Sequence, residues 1–173
     1  MNVLLLNPPF KGRFSRTSRS PGVTIGGTIY YPFWLAYAAG VLDQNGFDVS
    51  LVDAPAKGYS LNEVIEKAKE NQPRLIVVDT STPSIYSDIE VAAELKDAFP
   101  TAFVTLVGTH PSAMPKETLL VNDKIDAIAK GEYDYTIRSL ALCLRDNGDL
   151  RTVDGLIFRE GNNIVFNRIL PLI

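Results

Sequence analysis

One histidine, His110, and one cysteine, Cys143, are the only imidazole and the only thiol of this chain. Zinc sites and iron–sulfur clusters take three or four such ligands, so the pair can assemble neither. A Cys–His nucleophilic pair would need both side chains in one site. Cys143, however, stands in Ile137-Arg138-Ser139-Leu140-Ala141-Leu142-Cys143-Leu144, which reads as a packed apolar helix. His110 is a candidate general base, and a loop or capping residue is its other reading. Two carboxylates, Asp53 and Asp79, close apolar runs and could shape an acidic pocket of the phospho-acceptor kind. Neither has a second acid beside it or an evident lysine partner.

Hydroxyls and charges are concentrated elsewhere. Thr80, Ser81, Thr82 and Ser84 crowd the entry of one helix, where simple capping uses one hydroxyl and leaves the rest unexplained. Gly108 allows close backbone approach in Gly108-Thr109-His110-Pro111-Ser112. Lys11, Arg13, Arg16 and Arg19 lie within nine positions that hold no acid, while the remaining chain carries 13 basic against 20 acidic residues. This segment reads either as a solvated loop or as a cationic patch for a phosphate or a docked domain. No Gly-x-Gly-x-x-Gly follows the first apolar run and no Walker lysine is present; Gly26-Gly27 follows no strand.

These groups must be positioned by the elements around them. Apolar runs at 2–7, 47–53, 74–79, 102–107 and 125–129 read as strands, without in/out alternation. Helical spacing predicts helices over 33–45, 61–71, 85–99, 116–121 and 135–146, with Ser60 and Glu63 forming a capping box. Strand and helix alternate five times, which predicts a doubly wound α/β domain of the flavodoxin or Rossmann kind with a mainly parallel five-stranded sheet. Glu160-Gly161-Asn162 between two short apolar runs predicts a C-terminal β-hairpin. The strand-end rule then selects segments 7–31, 53–59, 79–86, 108–115 and 130–135 for ligand contact.

Composition sets the outer bounds. A chain of 173 residues, 46% hydrophobic and 21% charged with a net charge of −3, is that of one globular domain. Intrinsic disorder, collagen and a disulfide scaffold are excluded. No apolar run approaches the ~20 residues that cross a bilayer, and the start lacks a basic leader, so cytoplasmic location is expected. The basic residues form no face of the sort nucleic-acid binders present, and no nucleic-acid partner is expected.

Several stretches together resemble a known family. Val3-Leu4-Leu5-Leu6-Asn7-Pro8-Pro9, Tyr37-Ala38-Ala39-Gly40-Val41-Leu42 with Gly46-Phe47-Asp48-Val49, and Val52-Asp53-Ala54-Pro55 come first. Val107-Gly108-Thr109-His110-Pro111-Ser112, Asp126-Ala127-Ile128-Ala129-Lys130-Gly131-Glu132 and Asp154-Gly155-Leu156-Ile157-Phe158-Arg159 follow in order. The ordered set resembles the N-terminal cobalamin-binding domain of B12-dependent radical SAM enzymes, among them the anaerobic magnesium-protoporphyrin monomethyl ester cyclases and related methyltransferases. The chain departs from the family at Val107, where relatives often carry a second glycine.

The resemblance implies cobalamin as the cofactor, touched by Asn7, Pro8 and Pro9, by Asp79, Thr80, Ser81 and Thr82, by Gly108, Thr109 and His110, and by Gly131 and Glu132. It implies a division into a cobalamin-binding domain over 1–150 and a hairpin with the start of a linker over 151–173. In the family, a radical SAM barrel with an iron–sulfur cluster and S-adenosylmethionine follows the hairpin. The apolar end Arg168-Ile169-Leu170-Pro171-Leu172-Ile173 suits a fragment of such an enzyme, inactive alone, with that barrel as its partner in the same polypeptide. Many wider relatives carry Asp-x-His-x-x-Gly after the first strand, whose histidine binds cobalt. The matching stretch here is Asn7-Pro8-Pro9-Phe10-Lys11-Gly12, with proline in the histidine's place, which implies base-off binding without a lower histidine ligand. A flavin- or nucleotide-binding electron carrier and a non-catalytic interaction module are the alternative readings.

Overall fold

The computed structural model describes residues 1–17, 20–24 and 26–169. Its centre is a seven-stranded sheet in the order β4-β1-β5-β6-β7-β8-β9. The first five of these, β1 (Asn2–Asn7), β4 (Asp48–Asp53), β5 (Leu75–Thr80), β6 (Phe103–Gly108) and β7 (Ala127–Ala129), run parallel. Taken alone they follow the flavodoxin-like order 2-1-3-4-5, whose direction reverses between β1 and β5. The hairpin β8 (Leu156–Glu160) and β9 (Asn163–Phe166) is no appendage: β8 pairs antiparallel with β7, Ala127 opposite Phe158, and extends the sheet.

The apolar strands are unbroken because both faces of the sheet are covered. In β1, Leu4 and Leu6 point to one layer while Val3 and Leu5 point to the other. The first layer packs α3 (Leu61–Asn71), α4 (Ile85–Ala98) and α6 (Pro115–Val121) through Val64, Ala68, Ile89, Leu95 and Leu119. The second packs α1 (Phe33–Gln44) and α7 (Asp134–Asp146) through Leu35, Ala38, Leu42, Ile137 and Leu140. Burying such Leu and Ile side chains contributes roughly 1.5–3 kcal/mol each before the cost of ordering the chain. Edge strand β4 is half-buried and correspondingly more polar.

Local chemistry sets several element ends. Ser60 accepts from the Glu63 backbone N–H, and Glu63 accepts in return from the Ser60 N–H at 2.7 Å. Four short strands and α-helices inside predicted loops were not expected. They are the miniature antiparallel pair β2 (Phe14–Ser15) and β3 (Gly22–Val23), the short α2 (Ala54–Lys57), and α5 (Thr109–Ala113) directly after β6. Among the described residues no helix is long and apolar enough to cross a membrane.

Candidate functional site

At the carboxyl ends of β1 and β5, the switch point of the sheet, the chain fills part of its own crevice. Asn7 at the end of β1 is buried, donates to Asp53 Oδ1 at 2.9 Å, and accepts from Arg16 Nη1 at 3.0 Å. Asp53 caps α2 through the Ala56 N–H, so it serves the backbone. Arg16 also donates to the Pro8 carbonyl at 2.8 Å, reaches Asp88 of α4 through Nε and Nη2, and lies over the rings of Phe10 and Phe14. The predicted cationic segment thus divides. Arg16 is interior, Arg13 bonds the Gly27 carbonyl at the surface, Lys11 is exposed, and Arg19 lies outside the described residues.

The hydroxyl-rich segment divides as well. Thr80 Oγ1 donates to the Val107 carbonyl at 2.8 Å. Ser81 and Ser84 share a 2.8 Å hydrogen bond, and Ser84 Oγ donates to Asp88 Oδ2. Asp88 therefore gathers Arg16, Ser84 and the Ser81 N–H at one buried carboxylate. Burial raises its pKa, and the opposing guanidinium and these donors pull it back down. Only Thr82 of the four hydroxyl residues is exposed, after a 3-10 turn at Thr82–Ser84.

Open space lies one step across the sheet, beyond β6 and β7. A cleft of about 780 Å³ is walled by Trp34 and Tyr37 from the first turns of α1, which are 55% and 63% exposed. Its opposite side is small: Gly108, Thr109, Ser112 and Ala113, then Gly131. Ser112 ties these loops together, donating to the Gly108 carbonyl at 2.7 Å and accepting from the Gly131 N–H at 3.0 Å. Glu132 and Asp134 supply an acidic rim. Gly108, at φ +115°, is required by the sheet: a Cβ there would sit 2.2 Å from the Thr80 carbonyl oxygen.

Behind the cleft is a chamber of about 390 Å³ that shares Trp34, Gly108, Thr109 and Tyr133 with it. Arg16, Thr17, Asp79 and Thr82 complete much of its lining. Burial pushes the Asp79 carboxyl up to about 7, the Asp88 charge adds to the rise, and Arg16 opposes it. Tyr133 is 7% exposed, and its hydroxyl has no hydrogen-bond partner among the described residues. Burial and the neighbouring Asp79 charge both raise its pKa.

Of the predicted contact residues, Gly108, Thr109, Gly131 and Glu132 line the cleft, and Asp79, Thr80 and Thr82 line the chamber. Asn7, Pro8, Pro9, Ser81 and His110 line neither; the first four lie on or under the Arg16–Asp88 network or in the loop it fixes. Ser112 and Tyr133 fall in the selected segments 108–115 and 130–135 without being singled out, and Trp34 and Tyr37 were missed. One signal was present, since five of the chain's aromatics (Tyr30, Tyr31, Phe33, Trp34, Tyr37) fall within eight positions and all stand exposed.

A parallel sheet in this order, with a small-residue cleft beyond its carboxyl ends, defines a cofactor-binding α/β domain. The sequence model of the B12 binding domain matches residues 21–141, and the chain belongs to that family. It is 31% identical over its whole length to the anaerobic magnesium-protoporphyrin IX monomethyl ester cyclase of Cereibacter sphaeroides, covering 28% of that protein. It is 26% identical over its whole length to an uncharacterized methyltransferase of Pyrococcus horikoshii, covering 36% of it. The chain thus spans about a third of the length of these curated relatives. Among solved structures, the radical S-adenosylmethionine methyltransferase TsrM of Kitasatospora setae, with cobalamin and a 4Fe–4S cluster bound, superposes with a TM-score of 0.78 at 21% identity, over 99% of this chain and 29% of that one. OxsB, a cobalamin-dependent S-adenosylmethionine radical enzyme with aqua-cobalamin bound, gives 0.78 at 17% identity, over 99% of this chain and 22% of that one. At these identities the two structures speak for the fold.

The residues present fit a corrinoid. A broad macrocycle needs a side free of bulky or charged side chains to approach, and Gly108, Thr109, Ser112, Ala113 and Gly131 are the small residues of this cleft. The exposed rings of Trp34 and Tyr37 offer it apolar area, and the buried Tyr133 hydroxyl has no partner among the described residues.

Proposed function

We propose that this chain is the corrinoid-holding domain of a B12-dependent radical SAM enzyme, a cyclase or a methyltransferase, and acts together with a radical SAM domain of the same polypeptide. The observation that carries the reading is the cleft between α1 and the loops after β6 and β7, with its small-residue floor and aromatic wall. Gly108, Thr109, Ser112 and Gly131 would lie under the macrocycle, with Trp34 and Tyr37 at its edge. Bound cobalamin supplies a cobalt centre that carries a methyl group or an electron. The chain's part is to hold the macrocycle in register and keep water from one face.

The same cleft supports base-off binding without a histidine beneath the cobalt. His110, the chain's one imidazole, stands on α5 and lines neither the cleft nor the chamber. Titration with hydroxocobalamin, followed by absorbance, tests the cofactor against FMN. A saturable shift with the corrinoid and none with FMN is expected, and the reverse result overturns the reading. Electron paramagnetic resonance of bound cob(II)alamin tests the ligation. An unsplit base-off spectrum, unchanged in His110→Ala, is expected; nitrogen superhyperfine splitting that disappears in His110→Ala would reject it.

A further inference from the structure

Arg16 is shared by two carboxylates. It is bonded to Asp88 of α4, and it lines the same chamber as Asp79, whose charged form it stabilises. Asp79 and Asp88 repel one another: the Asp88 charge adds to the burial that raises Asp79, while Arg16 and the Thr80 N–H pull it down. Other elements bring little charge to Asp79 among the described residues. Tyr133, before α7, keeps its proton at neutral pH because its own pKa is raised. Val107 is the register partner on β6, and Asn7 ends the neighbouring β1; neither titrates.

The same guanidinium fastens the segment after β1 to the sheet. It donates to Asn7 and to the Pro8 carbonyl, and Phe10 and Phe14 lie against it. Beyond Arg16 the segment is held by a two-residue pairing, Phe14 with Val23 and Ser15 with Gly22, and by the Tyr30 N–H on Ser15 Oγ. A two-stranded ribbon this short is marginal by itself. The segment therefore hangs largely on one buried cation, and the hold of that cation depends on the charges around it. While Asp79 is neutral, Asp88 is the carboxylate Arg16 must offset. Once Asp79 ionises, a second carboxylate competes for the same guanidinium, in a chamber where water would solvate the charge better than the protein does. Lifting residues 10–17 admits that water.

We propose that residues 10–17 form a proton-controlled strap at the wall of the chamber, fastened through Arg16 to Asp88 while Asp79 holds its proton and opening locally once Asp79 ionises. The strap sets access to the chamber, whichever ligand enters it. It is a local opening, separate from unfolding of the whole domain.

The test is amide hydrogen exchange of the 173-residue chain, read by mass spectrometry at pH 6 and pH 8 with labelling times scaled to the intrinsic exchange rate. Residues 14–17 are expected to exchange faster than β1 and β5 at both pH values. Their protection should fall about tenfold between the two, because the opened strap lets Asp79 titrate near 3.8 in place of about 7. Asp79→Asn should keep the protection of the strap and remove its pH dependence. Strap protection that does not change with pH in the unsubstituted chain would overturn the proposal, and that comparison needs no variant to fold. Protection equal to that of β1 and β5 would overturn it too, since the strap would then let go only on global unfolding. A tenfold fall that survives in Asp79→Asn would assign the proton to another group and reject Asp79 as the control.

Discussion

Arg16 donates to both carboxylate oxygens of Asp88, at 2.5 and 3.4 Å, across 72 residues of chain, with the two side chains 1% and 0% exposed. The pair joins the long segment after β1 to the helix after β5, and so closes the switch point from above. Phe10 and Phe14 seal it by lying against the guanidinium. The pair thereby narrows the crevice that this strand order usually offers to the chamber beside Asp79, Thr80 and Thr82, and the larger open cleft lies over β6 and β7.

Removing one partner of this pair strands a buried charge. Arg16→Met is expected to destabilise the domain by about 3–5 kcal/mol, read as a lower urea midpoint. Adding Asp88→Asn should recover part of that loss, because the amide oxygen can still accept from Ser84. A midpoint unchanged in Arg16→Met would show that the pair is not a tertiary lock.

Thr80 and Gly108 are partners in the β5–β6 register, and the Thr80 carbonyl occupies the place of a Gly108 side chain. Gly108→Ala must both clash and hold φ near +115°, and a loss of about 3 kcal/mol or more is expected. Gly40, within α1, has open space around its missing Cβ. Gly40→Ala should raise stability by up to about 1 kcal/mol through helix propensity. Opposite shifts of the thermal midpoint in the two variants check both halves.

Asp79 ties stability to pH. The folded carboxyl holds its proton up to about 7, against 3.8 ordinarily. Below pH 3.8 both states are protonated and the contribution is fully present. As pH climbs toward 7 the unfolded chain releases the proton first, and stability falls. Asp79→Asn escapes that loss, so its advantage over the unsubstituted domain should grow from near zero at acid pH to on the order of 2–4 kcal/mol at pH 8. Denaturant titrations at both pH values decide it; a pH-independent difference would contradict the raised pKa.

Tyr133 should show opposite effects on stability and on binding. Its unpaired buried hydroxyl costs the ligand-free domain about 1–3 kcal/mol, so Tyr133→Phe is expected to raise the melting temperature. If the bound corrinoid recruits this hydroxyl, as proposed for the cleft that Tyr133 lines, the same change weakens hydroxocobalamin binding. A variant that melts lower would show that the hydroxyl has a structural partner.

Much of the scaffold was legible because its signals are local. The capping box at Ser60 and Glu63 spans three residues, and the hairpin turn at Glu160-Gly161-Asn162 is written in three more. Unbroken Leu-Val-Ile strands announced a sheet covered on both faces, since each strand must satisfy two helical layers. The glycines at 108 and 131 marked the strand ends where the cleft forms. What those signals could not convey was direction. Arg16 stood among basic residues free of acids, and only the topology brought Asp88 to it from the far side of β5. The hydroxyls at 80, 81 and 84 stood out as more than capping uses, and only the tertiary structure shows each bonded to a neighbouring hydroxyl, backbone or carboxylate group. Trp34 and Tyr37 were visible as aromatics, but their place at the cleft rim follows from packing the opposite face of α1 on the sheet. Patterns within a few residues dictate an element; which polar group meets which across the sheet is decided by long-range packing alone, because desolvation penalises every buried group that the fold leaves unpaired.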